Sequence, residues 1–184
     1  MDKRGAWAFW ISIILVVLFI VFLFLYLALF NSNNEGVYMG RVIENPVLSL
    51  SDEQALLDFD ESFVFYLLYN MKAYNLHNPP LSSDYPKIEL DVGGEIFSAS
   101  VKKGLVSVTD VQILNKDIII RTTKEEAVKM IRDKDYILQS FGDGKSTIEF
   151  VAGKTILFAK GYLNFYNSLT GKSITGNLIR IATD

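Results

Sequence analysis

Cysteine is absent from this chain of 184 residues, histidine occurs once, at His77, and proline only four times. Without thiols there are no disulfides and no thiolate metal sites, and a single imidazole cannot build a histidine cluster. No Asn-x-Ser/Thr sequon occurs, so nothing marks a glycosylated exported protein. A concentrated basic stretch is also missing. The 18 Lys and Arg face 21 Asp and Glu, for a net charge of −3, and the part beyond residue 30 is more acidic still. That balance disfavours a nucleic-acid partner, because phosphate binding needs a dense basic face. Scarce proline and regular apolar spacing argue for a folded domain over disorder.

Apolar residues are abundant, at 50% of the chain with a mean hydropathy of +0.24, and many of them lie in one run. Residues 6–30 carry no charge. At about 1.5 Å per helical residue, roughly 20 residues cross a hydrocarbon layer of about 30 Å, so this run is expected to span a membrane. Lys3, Arg4 and the terminal amine precede it, and the next basic residue is Arg41, which places the amino terminus in the cytoplasm. Trp7 and Trp10 at one end and Tyr26 near the other suit the interfacial belts. A cleaved signal peptide has a shorter apolar region, of about 7 to 15 residues, and a small-residue cleavage site. Neither condition is met. The expected organisation is a cytoplasmic terminus (1–5), a transmembrane helix (6–30), a tether (31–50) and one extracytoplasmic domain (51–184) at the cell membrane.

The domain opens with Ser51 and Gln54 in capping-box spacing. Leu56, Phe59, Phe63, Leu67, Met71 and Tyr74 then mark the apolar face of one helix or two shorter ones, and Asn78-Pro79-Pro80 ends it. Residues 87–91, 95–101 and 105–108 alternate around Gly93-Gly94 and Lys103-Gly104, as antiparallel strands do. Residues 117–121 read as a buried strand. Thr122 to Glu126 is a second capping box, opening a helix with Val128, Ile131 and Leu138 inward. Further on, 147–151 alternates like a strand, 155–159 is continuously apolar, 162–169 has helical spacing, and a last strand is expected near 177–182. Strands and helices in blocks indicate an α+β domain.

Two stretches stand out together. Asp117-Ile118-Ile119-Ile120-Arg121-Thr122 runs into Lys124-Glu125-Glu126-Ala127-Val128-Lys129-Met130-Ile131, and Gly153-Lys154-Thr155-Ile156-Leu157-Phe158-Ala159-Lys160-Gly161-Tyr162-Leu163 follows later. In this order, over roughly residues 88–169, the chain resembles the sterol carrier protein 2 (SCP2) family. In that family an Asp-led strand feeds an acidic helix start, and a Gly-Lys strand ends in a Lys-Gly step before the last helix. The resemblance implies a mostly antiparallel twisted sheet with helices on one face, enclosing an apolar tunnel for a fatty acyl chain, sterol or other lipid. Aromatics at such spacing usually fill a core. The resemblance moves Phe63, Leu67, Phe97, Ile118, Ile120, Leu138, Phe141, Phe158, Leu163 and Tyr166 towards a cavity wall. The chain departs from the family in its anchor and in its aromatic-rich, acidic first helix.

Other candidate sites fall to plainer readings. Gly142-Asp143-Gly144-Lys145-Ser146 suggests a phosphate-binding loop, but position 139 is Gln and β-branched residues follow, so a glycine-rich turn is expected. Asp58, Asp60 and Glu61 lack the loop glycine and alternating ligands of a calcium site, and read as a solvated face. Asp133 and Asp135 suit a bend between helices. His77 has no nucleophile motif beside it and reads as a loop residue. The expected function is a membrane-tethered, non-catalytic binding module for a lipid-like small molecule, without cofactor or metal. Two structural alternatives stand beside it. Arg4-Gly5-Ala6 faintly resembles the processing site of pilin-like filament subunits, and the acidic-aromatic helix 52–75 could bind a protein partner.

Overall fold

The computed structural model describes residues 15–22 and 43–172 of the chain, which divides into two compact units, Met1–Glu35 and Gly36–Asp184. In the first unit, residues 15–22 form a helix, α1, whose side chains from Leu15 to Phe22 are all between 46% and 73% exposed. Among the described residues no helix is long and apolar enough to cross a membrane. The remainder of the span expected at 6–30 lies outside them. So do residues 1–5, the Arg4-Gly5-Ala6 step, residues 31–42 and the strand expected at 177–182.

The second unit begins its regular structure at the expected capping box. The Ser51 hydroxyl accepts from Gln54 N, and the Gln54 side chain accepts from Ser51 N. The apolar pattern that follows resolves into two helices, α2 (Asp52–Leu57) and α3 (Glu61–Asn70), then a 3₁₀ turn at Ala73–Asn75. The break comes at Asp60, whose carboxylate caps α3 by accepting from Ser62 N and Phe63 N. Phe63, Val64, Leu67 and Leu68 of α3 are buried.

Among the described residues five strands follow: β1 (Lys87–Val92), β2 (Glu95–Lys102), β3 (Leu105–Thr109), β4 (Ile118–Thr122) and β5 (Thr147–Phe150). The sheet order is β3-β2-β1-β4-β5. Three pairings are antiparallel, whereas that of the central strand β1 with β4 is parallel in the register Ile88↔Ile118 to Val92↔Thr122. Gly93 and Gly94, both at positive φ, close the β1–β2 hairpin. Ile88, Leu90 and Val92 of β1, with Ile118 and Ile120 of β4, join the helix residues in one buried cluster. The opposite face bears Glu89, Asp91 and Arg121 in the alternate positions. Residues 110–116 cross that polar face, where Gln112 and Lys116 both reach the buried Glu89 carboxylate.

After β4 come α4 (Lys124–Arg132), α5 (Tyr136–Gly142), α6 (Lys154–Ala159) and α7 (Tyr162–Thr170). Three sequence expectations are corrected here. Only half of the second capping box forms: Thr123 Oγ1 accepts from Glu126 N, while the Glu126 side chain turns to Lys129, Tyr136 and Ser140. Leu138 does not share the inner face of α4. The chain bends at Asp133-Lys134-Asp135, with Asp135 N donating to Asp133 Oδ1, and leaves Leu138 50% exposed on α5. Residues 154–159 form a helix where the Gly-Lys strand was expected, because Gly153 and Gly161 sit at its boundaries instead of inside it. Asn45, Val47 and Leu50, within the stretch expected as tether, lie on α4. Val47 is buried, Asn45 Nδ2 donates to Ile131 O, and the Arg132 guanidinium donates to Val47 O and Leu50 O.

Candidate functional site

The ten residues expected to wall a cavity separate into two groups. Phe63, Leu67, Phe97, Ile118, Ile120 and Phe141 are buried, none more than 6% exposed, within the common core. Leu138 and Phe158 stand in solvent, at 50% and 73% exposure, and Leu163 and Tyr166 are half-buried. The second group belongs to α5, α6 and α7. On α6 the helical period turns Leu157 inward and leaves Ile156 and Phe158 outside, so an apolar run read as a strand did not show which of its side chains would be exposed. Helix α7 packs against both α5 and α6, and its Tyr166 ring lies 5.4 Å from the Phe150 ring at the end of β5. These elements therefore hold exposed or half-buried apolar side chains on and beside α7 that the core does not use.

Below α6 lies a buried polar hub. Lys160 Nζ reaches Asp117 Oδ1 and Oδ2, both at 3.0 Å, Asp84 Oδ2 at 2.9 Å and Tyr85 O at 3.1 Å. The Asp117 carboxylate also accepts from Tyr162 Oη at 3.0 Å and from Lys87 N at 2.7 Å. Lys160 and Tyr162 are fully buried, and burial, reinforced by the Asp117 charge, pushes the Tyr162 phenol well above its ordinary pKa. The Lys160 ammonium holds the Asp84 carboxyl below its usual range. Every partner an ammonium can use is supplied, so the hub fastens β1, β4 and the α6–α7 junction and leaves no free base. His77 sits outside it as an exposed loop residue, its N–H donating to Lys160 O.

A second network lies under α5. Glu126 Oε2 accepts from Tyr136 Oη and Ser140 Oγ, Ser140 contacts Ser146, and Ser146 contacts Thr122, the last two at 2.8 Å. Burial raises the Glu126 pKa, but the hydrogen bonds from Lys129, Tyr136 and Ser140 outweigh it and the net shift is downward. Ser146 thus ends a glycine-containing turn that leads into β5, the ordinary role expected of 142–146.

At the opposite end of the sheet from the hub is an open groove of about 380 Å³ lined by Phe59, Asp60, Glu61, Glu95, Ile96, Phe97 and Asp110. Its floor is aromatic, with the Phe59 and Phe97 rings 6.1 Å apart and Phe63 packed 5.2 Å from Phe59. Its rim is acidic, and Lys124 pairs with Glu95 across it. Asp117 and Lys160 both fall in the stretches that stood out in the sequence, yet nothing in their spacing paired them. The only available signal was a charged residue bordering an apolar run in each case.

No family model matches the chain, and no curated protein matches it either. Among solved structures, the UbiJ-SCP2 ubiquinone synthesis protein is similar at 12% identity and a TM-score of 0.36, over 58% of this chain and 89% of that one. The apo form of sterol carrier protein 2 from Yarrowia lipolytica is similar at 13% identity and a TM-score of 0.29, over 66% and 88%. A double mutant of the sec-alkyl sulfatase PisA1 is similar at 12% identity and a TM-score of 0.33, over 48% of this chain, which spans only 13% of the sulfatase. The structural neighbours thus include SCP2 domains, and likeness of this degree decides neither ligand nor activity.

Proposed function

We propose that the chain is a membrane-tethered, non-catalytic module that binds an apolar ligand such as an acyl chain or sterol-like lipid. The observation that carries this reading is the exposure of Leu138, Ile156 and Phe158 beside half-buried Leu163 and Tyr166. An acyl chain laid against these helices would gain about 0.8 kcal/mol for each methylene taken out of water. Support for the tether comes from the exposed apolar helix at residues 15–22 and the uncharged run 6–30 around it. A tethered domain meets its ligand at high local concentration, and the basic residues before the run favour a cytoplasmic amino terminus with the domain outside.

The test is titration of the detergent-solubilised full chain with a fluorescent fatty acid. Saturable binding that weakens at least tenfold in Phe158→Asp and is unchanged in Leu57→Asp, with far-UV circular dichroism preserved in both, is the expected result. Absence of saturable binding, or equal binding by Phe158→Asp, overturns the reading. A second reading, a scaffold that binds a basic partner through residues 52–75, draws on the acidic rim and aromatic floor of the groove at Phe59. Substituting Glu61 and Asp110 by lysine would abolish such binding and leave fatty-acid uptake intact.

A further inference from the structure

The strand registers bring five chain boundaries to one end of the sheet. Lys87 opens β1 there, Lys102 and Leu105 flank the β2–β3 turn, Ile118 opens β4 and Phe150 closes β5. The loops at this end carry exposed apolar side chains. Leu81 is fully exposed, Leu114 is 86% exposed and Leu105 is 47% exposed. Leu81 also sits at φ +60°, in a turn closed by Ser82 N donating to Pro79 O, so a bulky residue is held in the left-handed region to present its side chain outward. Asn115, beside Leu114, is left-handed as well.

Rigid supports lie directly behind these loops. Lys160 ties Asp84 and Tyr85, just after Leu81, to Asp117, three residues beyond Leu114. Two loops far apart in sequence are thereby anchored to one buried point, and each carries an exposed leucine near it. The basic residues at this end complete the pattern: Lys102, Lys103 and Lys154 are exposed and enter none of the ion pairs among the described residues. The far end of the sheet has the opposite character, with Asp60, Glu61, Glu95 and Asp110 around the groove.

We infer that the Leu81–Leu114 end of the sheet docks on a bilayer surface, with the leucines entering the interfacial region and Lys102, Lys103 and Lys154 meeting anionic headgroups. Apolar side chains flanked by lysines suit the boundary between hydrocarbon and charged lipid. Burial among the lipids would compensate for the strain held at Leu81. The inference does not depend on the apolar-ligand reading, since neither leucine belongs to the α5–α7 surface.

The cysteine-free sequence permits single-site labelling of the full chain. Leu81→Cys, Leu114→Cys and, two residues before Phe59 at the other end, Leu57→Cys are each labelled with an environment-sensitive fluorophore. Each is then reconstituted in phosphatidylcholine vesicles with or without phosphatidylglycerol. Blue-shifted emission and quenching by nitroxide-labelled lipid at positions 81 and 114, absent at 57, are expected. Phosphatidylglycerol should strengthen both signals severalfold, and a Lys102→Glu/Lys103→Glu/Lys154→Glu background should remove that gain. Equal signals at all three positions, or none at 81 and 114 in chain that floats with the vesicles, overturn the docking face. An unaltered signal without phosphatidylglycerol overturns its charge component. Flotation by itself reports the tether, and fatty-acid titration reports the ligand site, so failure of either is distinguishable from failure of the face.

Discussion

At the scale of single residues, the side chains with most at stake are the buried charges. Asp117 and Lys160 are 5% and 1% exposed at the side chain, and each satisfies the other. Replacing Lys160 by Met leaves a carboxylate buried with only Lys87 N and Tyr162 as donors, and is expected to cost about 3–5 kcal/mol by urea unfolding. Asp84→Asn touches the same ammonium from an exposed position and should cost below about 1 kcal/mol. Tyr162 makes the hub sensitive to alkali. Its folded pKa lies above the ordinary value of 10.0, so its contribution is complete below about pH 10 and is lost as pH rises through the folded value. Tyr162→Phe should therefore flatten the fall in thermal midpoint above pH 10, which a pH series of melting curves reads directly. Neither partner was legible in the sequence as a pair. Asp117 and Lys160 stand 43 positions apart, and only folding brings β4 against the α6–α7 junction.

At the scale of elements, legibility followed local chemistry. The strands between 87 and 122 were readable because alternating residues are separated by glycine turns at positive φ, and the helix starts at Ser51 and Thr123 because their hydroxyls cap nearby N–H groups. The segment 153–161 was not. A continuous apolar run of five residues fits a strand or a short helix equally well, and the glycines lie at helix boundaries, Gly153 as the N-cap of α6 and Gly161 as the N-cap of α7. Gly161 is the sharper case. It sits at φ +85°, and a Cβ there would lie 3.1 Å from His77 Cε1. Gly161→Ala is expected to destabilise by about 1–3 kcal/mol through backbone strain and crowding. Adding His77→Ala should recover the crowding part only, so a double-mutant cycle that shows full recovery would remove the strain argument. The expected cavity wall divided for the same reason as the strand error: residue type announced apolar surface, but the helical phase of α5 and α6 decided which side chains turned outward.

At the scale of the whole molecule, the second unit has one buried cluster that draws on its strands and helices and on Val47, upstream of the first capping box. Unfolding should accordingly be a single transition for residues 43–172. Val47→Ala and Leu169→Ala are expected to destabilise that one transition, by about 1–3 and 2–5 kcal/mol, whether followed by circular dichroism or by tyrosine fluorescence. Separate transitions for the two probes would show instead that the residues around Val47 are dispensable. The parallel pairing of β1 with β4 adds a constraint on synthesis. The meander β1–β2–β3 closes through two tight turns and can pair early, yet β1 keeps one open edge until residues 110–122 have left the ribosome and crossed the polar face. Translation adds about 5–20 residues per second, so that edge stays bare for a second or more. In most open sheets the outer strands risk pairing with a neighbouring chain. In this one the vulnerable edge is the future centre, and it disappears when β4 arrives.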